Sequence, residues 1–378
     1  MTVRLMPQSP SDMPQALSEI PLEVQDAYGL LPPAAGGAVV PLHSLINRTY
    51  LVHGDVGQGP QAMVLQRLHP VFAAHVHVDI EAVTLHLQRR QIETPLLLRN
   101  RRGTLWLELT ASGASLVWRA CSYVDGVTVH RSADRAQLGS AAELLGRFHA
   151  GLIDLQHEFV HVRPLHDTRQ HLAKLEAALS SERGRADAEA RELGEQLLEH
   201  ARGVCVDFSA FPRRVLHQDP KLSNVLFERG DPTRARCMID LDTLGRGYLA
   251  YELGDALRSW GNRAGEDQPE ADFDAEVLRA VVAGYARTCP TAVSDEEICS
   301  AVTGLETVSL ELASRFAADA ILDSYFGWDA TRYPTRRAHN LARARGQFSL
   351  AGAVKRQSAA LLSIARQALV SRPRAVLG

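Results

Sequence analysis

Cysteine is scarce in this chain of 378 residues, and the little there is follows no pattern. The five (Cys121, Cys205, Cys237, Cys289, Cys299) are an odd number without a C-x-x-C pair. That argues against a disulfide framework and a structural zinc cluster, and it suits a reducing compartment. No stretch approaches about 18 consecutive apolar residues, so no membrane-spanning helix is expected. Met1 to Gln15 lacks an apolar core segment and does not read as a secretory signal. The net charge is only −3, too little to draw in nucleic acid or an anionic membrane. Internal repeats, low-complexity tracts, a Gly-x-Ser-x-Gly elbow and a dinucleotide-binding fingerprint are also missing. What remains is ordinary globular composition, 46% hydrophobic and 22% charged, in a chain long enough for two lobes with separate cores. A cytoplasmic location is the expectation.

Along the chain, Leu22 to Leu31 reads as a short helix stopped by Pro32-Pro33. Arg48 to His53 and Ala62 to Leu68 read as paired strands around the turn Gly54 to Pro60. The glycines of that turn lie between strands and open no helix, so a hairpin tip is expected there and not a phosphate cradle. Val76 to Gln91 has the spacing of an amphipathic helix, and three further strands follow between Leu96 and Tyr123. From Ala141 the pattern turns helical. Ser180 to Arg202 is densely charged, and Tyr251–Trp260, Phe273–Thr288, Asp295–Ser324 and Thr335–Val370 all repeat at helix spacing. The class is therefore α+β: residues 1–124 as a mostly antiparallel sheet lobe with one helix, and 125–378 as a mainly helical lobe.

One hairpin interrupts the helical part. Val215-Leu216 leads into His217-Gln-Asp219-Pro-Lys221-Leu-Ser-Asn224, and Val225-Leu-Phe227 leads out. Arg229-Gly-Asp-Pro232 turns the chain, which returns through Met238-Ile239 to Asp240 and Asp242. A carboxylate to accept a hydroxyl proton, with an Asn and an Asp for a hard cation, is what phosphoryl transfer needs. His217, Asp219 and Asn224 keep the spacing of the kinase catalytic loop H-R-D-x-x-x-x-N, with Asp240 as the metal carboxylate that follows. The alternative is a polar turn in which Asp219 and Asn224 only satisfy backbone groups.

With these residues in place, the chain resembles the aminoglycoside phosphotransferase and choline kinase superfamily, and within it the bacterial N-acetylhexosamine 1-kinases. Ile46 to Tyr50, Val64 to Leu68, Trp118-Arg119, Leu145 to His149, His217 to Phe227, Ile239 to Thr243, Glu252 to Arg258 and Asn340 to Arg345 carry the likeness. It implies a two-lobed protein-kinase-like fold using ATP and Mg²⁺. By that resemblance Asp219 is the catalytic carboxylate, His217 orients the loop, and Lys221 belongs to the catalytic set. Asn224 and Asp240 are the metal ligands, with Asp242 assisting at a second ion. Asn47, Arg48 and Thr49 cover the nucleotide, and Arg67 stands where protein kinases have a lysine, a charge-conserving exchange. Glu81 is a candidate partner for Arg67, and Ala120 to Tyr123 is the inter-lobe hinge, with Tyr123 against the nucleotide. Gln218 stands where the family has a small glycine, which bears on the approach of the acceptor.

Glu311, Arg315, Asp319 and Asp323 recur every fourth residue on an otherwise apolar helix, which stacks them on one face. Such a stripe reads either as a wall of a wet cleft or as a salt-bridge ladder. The resemblance favours the cleft, with Arg315, Asp319 and Tyr325 as sugar contacts. His157-Glu-Phe-Val-His161 formally matches the zinc-protease motif, but Pro164 and two valines break the required helix. The reading that emerges is a small-molecule kinase acting on the anomeric hydroxyl of an N-acetylhexosamine, as a monomer or homodimer. Other acceptors (another sugar, an amino alcohol, an aminoglycoside) and a non-catalytic nucleotide-binding module are the alternatives.

Overall fold

Alternation of apolar residues builds one antiparallel sheet from the first third of the chain. In the computed structural model the described residues are 17–32, 37, 39–42, 47–111, 113–160, 166–204, 207–262, 265–370 and 372. Helix α1 (Leu22–Ala27) precedes strands β1 (Val39–Leu42), β2 (Arg48–Gly54) and β3 (Gln61–Arg67). Helix α2 (Val76–Arg89) leads to β4 (Leu97–Leu98), β5 (Leu107–Ala111) and β6 (Ala114–Ser122). The sheet order is β1-β2-β3-β6-β4, with β5 also paired to β6. Tyr50, Val52, Met63, Leu65, Trp118 and Ala120 project from one face onto Ile20, Val24 and Tyr28. Because side chains alternate along a strand, Thr49, Val64, Gln66, Arg119 and Cys121 project from the other. Strand β1 escapes a reading by pattern because Pro41 interrupts it, which the sheet tolerates only because β1 is an edge. The glycine turn is the tip of the β2–β3 hairpin: Asp55 Oδ1 accepts from Gly57 N and Gly59 N, and both glycines have positive φ.

The remaining chain is helical around a short β insert. Helix α3 (Arg135–Leu152) is capped by Asp134, whose side chain accepts from Ala136 N and Gln137 N. Next come α4 (Thr168–Ser180), α5 (Glu182–Ala186) and α6 (Ala188–Ala201). The insert has β7 (Arg214–Leu216) paired to β10 (Gly245–Gly247), and β8 (Val225–Phe227) paired to β9 (Ala235–Met238). Helices α7 (Leu249–Gly261), α8 (Ala275–Thr288), α9 (Asp295–Cys299), α10 (Ala301–Leu322) and α11 (Arg336–Leu369) complete the lobe. The charged 180–202 stretch is broken at Asp187, which caps α6, and its Leu193 and Leu197 are buried with Leu310 and Phe316 of α10. Helices α7 and α10 cross in close contact: a Cβ on Gly304 would lie 1.8 Å from Ala250 O. Among the described residues no helix is long and apolar enough to cross a membrane.

Candidate active site

The hairpin residues gather in a cleft of about 260 Å³ between the sheet and the β insert. Val64, Cys121, Ser122, Tyr123 and Val124 line one wall and Leu226 and Ile239 the other, giving an apolar slot at the strand that joins the lobes. Asn47, Thr49, Gln66 and Arg119 face Asp219, Lys221, Asn224 and Asp240 at its polar end.

The loop from His217 to Asn224 is held from below by a buried carboxylate on α7. Glu252 Oε1 accepts from His217 N at 3.0 Å and Oε2 from Gln218 N at 2.7 Å, and His149 closes the arrangement at 3.1 Å. Burial raises the Glu252 pKa, but His149 and the neighbouring donors outweigh it and hold the group ionised. Further along α7, Trp260 Nε1 donates to Pro220 O and Ser259 Oγ accepts from Leu222 N. His217 Nε2 lies 2.9 Å from Ile239 O, while Nδ1 accepts from Asp219 N at 3.3 Å. One neutral tautomer, protonated at Nε2, satisfies both contacts. Gln218 has φ +66°, the region that favours glycine, and its side chain reaches Thr243 O at 3.1 Å by lying across Gly245. The side chain thus packs against β10, on the far side of the loop from the cleft at Asp240.

Asp219 is bound on one oxygen only. Lys221 Nζ donates to Oδ2 at 2.7 Å and Asn224 Nδ2 at 3.1 Å, which leaves Oδ1 without a partner among the described residues. Burial raises its pKa, and the Lys221 ammonium more than reverses this, so Asp219 stays ionised. Asn224, having spent its amide hydrogens on Asp219 Oδ2 and Asp219 O, keeps Oδ1 as a possible ligand. Asp240 sits at φ +63°, opens onto the cleft and has no donor among the described residues. Burial and then the Asp242 carboxylate push its pKa up, as expected for an anion lacking its counter-ion. Two protein oxygens without a cage suit a hard divalent cation that keeps waters and phosphate oxygens as its other ligands.

Four expected placements are corrected. Asp242 is buried, and both its oxygens accept hydrogen bonds, from the Arg119 guanidinium (Nη2 to Oδ2 2.9 Å) and from Asn47 Nδ2 at 2.9 Å, so the charge expected to serve a second ion is already paired with an arginine. Arg67 follows Met63 and Leu65 on the core-facing side of β3, away from the cleft. Glu81 pairs with Arg99, not Arg67. Arg48 likewise projects away from the cleft, at the register position opposite Arg67, whereas Asn47 and Thr49 line the cleft and Tyr123 sits at its rim, donating to Asp125. The cation that the sheet does present is Arg119. Its Nε donates to Gln66 at 2.9 Å and its two Nη atoms grip Asp242, leaving two N–H groups for a ligand. Its signal in the sequence is an arginine in the middle of an apolar strand, where a buried charge needs a partner.

The stripe on α10 separates. Glu311 is buried against His166 and Thr168. The helix ends at Leu322, and Asp319 accepts from the backbone amides of Ser324, Tyr325 and Phe326 and from Asn340 Nδ2. Arg315 lies 5.5 Å over the Phe326 ring, and Tyr325 and Trp328 are exposed. His157 pairs with Asp79 on a non-helical segment, and His161 lies outside the described residues.

Residues 38–290 match the model of the phosphotransferase enzyme family, about two thirds of the chain. The chain belongs to that family. Solved structures of similar fold include an amicoumacin kinase in complex with AMP-PNP, Ca²⁺ and Ami, with 15% identity, TM-score 0.60, and coverage of 89% of this chain and 92% of that one. A microcompartment-associated aminopropanol kinase gives 17% identity and TM-score 0.57, over 92% and 97% of the two chains. A choline/ethanolamine kinase family protein from Mesorhizobium loti gives 15% and 0.54, over 91% and 98%. The sheet lobe and helical lobe of this phosphotransferase are therefore the two halves of a protein-kinase-like fold.

Proposed function

We propose that this protein is an ATP- and Mg²⁺-dependent kinase whose acceptor is a neutral sugar, with the anomeric hydroxyl of an N-acetylhexosamine as the group phosphorylated. Asp219 Oδ1, the unpartnered oxygen beside Lys221 and Asn224, orients the acceptor hydroxyl and takes its proton. The apolar slot at Ser122 to Val124 receives adenine, and Arg119 and Lys221 supply the positive charge for the phosphates. Asp240 and Asn224 Oδ1 would hold the metal ion, which neutralises charge on the phosphates when bound.

The charge balance beyond Asp219 carries the choice of acceptor. Arg258 is tied to Asp255 and Glu266, and Asp267 to His339 and Arg343. Glu311 is tied to His166, and Asp319 to four N–H donors. These five carboxylates are thus already compensated, while the Arg315 guanidinium has no acid partner within ion-pair distance among the described residues. Guanidinium donors with the open rings of Tyr325 and Trp328 suit hydroxyls, an acetamido oxygen and a sugar's C–H face. The same exposed rings support a second reading, an amino alcohol whose ammonium lies on an aromatic face. Release of ADP with ATP and Mg²⁺ is measured across N-acetylglucosamine, N-acetylgalactosamine, other sugars, choline, ethanolamine and an aminoglycoside. Turnover confined to the N-acetylhexosamines is expected. Turnover confined to the amines overturns the sugar reading, and silence with every acceptor overturns it too.

A further inference from the structure

A second cavity, of about 380 Å³, has no lining residue in common with the nucleotide cleft. It sits behind the catalytic loop, where Leu216, Gln218 and Glu252 form part of its wall. Three otherwise separate segments bring arginines to it: Arg169 from the first turn of α4, Arg213 just before β7, and Arg246 in β10. None of the three has a carboxylate within ion-pair distance among the described residues; Arg213 Nη2 instead donates to Arg246 O at 2.6 Å.

The acids at the cavity are committed to other groups. Asp167 caps α4 by accepting from Gln170 N, and Asp207 accepts from Ser209 N, with the Arg169 charge a further, weaker attraction on it. Glu252 is spent on the loop amides and His149. His166 adds an independent observation. Its side chain is 9% exposed, its ring stacks on Tyr251 at 5.2 Å, and Nδ1 lies 3.0 Å from Glu311 Oε1. Nδ1–H donates to that carboxylate, whose charge outweighs burial and shifts the ring's pKa upward, towards the protonated form. Nε2 finds no hydrogen-bond partner among the described residues, in a ring that lines the cavity. A buried polar atom left unpaired is costly, and with the ring protonated a ligand oxygen would satisfy it.

We propose that this cavity is a binding site for a small oxyanion, a metabolite bearing a phosphate or carboxylate group, held by His166, Arg169, Arg213 and Arg246. The first turn of α4 adds the positive end of its helix dipole to the same wall. The ligand would rest against Gln218, the residue that precedes the catalytic Asp219.

Isothermal titration of the full-length protein with inorganic phosphate, and separately with citrate, tests this. Runs are made with and without saturating AMP-PNP. At least one of the two anions should bind saturably at one site, with the nucleotide cleft filled or empty. Arg169→Ala combined with Arg246→Ala should weaken that binding at least tenfold; both side chains are exposed and neither has a carboxylate within ion-pair distance among the described residues, so the variant keeps its fold. Arg119→Lys, in the other cleft, should leave it unchanged. Phosphate alone, or citrate alone, identifies which oxyanion the site takes. Absence of saturable binding for both, displacement by AMP-PNP, or undiminished binding in the double variant overturns the proposal. The readout is binding, so failure of the kinase reading leaves it intact.

Discussion

Arg119 and Asp242 form a buried bidentate pair across the two lobes, so removing the arginine has two separable effects. Arg119→Met strands an ionised Asp242 that is 2% exposed, and breaking such a pair by removing one partner costs about 3–5 kcal/mol. It also takes away the N–H groups left for phosphate oxygens. Charge-assisted hydrogen bonds of that kind contribute roughly 1.5–3 kcal/mol each, so ATP should bind on the order of 100-fold more weakly. The two effects are distinguished by adding Asp242→Leu. Replacing a buried ion pair with apolar groups is often neutral or stabilising, so Arg119→Met/Asp242→Leu should regain most of the lost stability without regaining ATP affinity. Urea unfolding measures the first quantity and titration with AMP-PNP the second. The coupling also has a pH signature. Burial raises the Asp242 pKa and Arg119 more than reverses this, so the folded value lies below the ordinary carboxylate range. The pair's contribution is therefore complete above that range and is lost as pH falls through the depressed value, a loss that the double variant should not show. The reasoning is refuted if the double variant is no more stable than Arg119→Met, or if Arg119→Met binds AMP-PNP as tightly as the parent.

The other predictions are shorter. Asp219→Asn should lower turnover by about 10²–10⁴ while AMP-PNP binding stays near normal, since it removes the proton acceptor and no phosphate contact; unchanged turnover would remove Asp219 from the mechanism. Asp240→Asn should abolish activity and yet raise Tm by a few degrees in metal-free buffer. The change relieves repulsion with Asp242 and keeps a side chain tolerant of positive φ; a lower Tm would show that Asp240 is already compensated. Glu252→Gln should lower kcat more than it changes KM for ATP, because it turns an amide N–H toward the His217 and Gln218 amides. An unaltered kcat would mean that the loop holds its shape without the carboxylate. Arg315→Leu should raise KM for the acceptor and leave KM for ATP alone, which steady-state kinetics at fixed ATP and fixed acceptor would separate.

The catalytic loop was legible because its polar residues fall at fixed spacing between short apolar strands, and both the spacing and the strands persist in the fold. The cation of the cleft was not. A period of two places Arg67 on one face of β3, but only the packing of Met63 and Leu65 decides which face turns to the core. No lysine precedes Lys174, and the arginine that the cleft does present, Arg119, stands three strands later in the chain. Its partner Asp242 lies 123 residues away, a separation that no local pattern reports. The four-residue stripe of α10 illustrates the opposite limit. Spacing put Glu311, Arg315 and Asp319 on one helix face, while Asp323 falls past the helix end with a left-handed backbone. It could not show that Glu311 is consumed by a buried histidine and Asp319 by the backbone amides of the loop that follows.

That loop has a consequence for how the protein can change. Asp319, itself held by Asn340 Nδ2, ties down its base by accepting from the backbone amides of Ser324, Tyr325 and Phe326, whereas the rings of Tyr325 and Trp328 stand in solvent. The tight crossing at Gly254 and Gly304 meanwhile makes α7 and α10 a single block beneath the catalytic loop. Tip residues can therefore be exchanged without disturbing either the anchor or the chemistry. Diversification of the substrate, in a laboratory library or over generations, would concentrate at positions 325 to 328 while position 319 stays an aspartate.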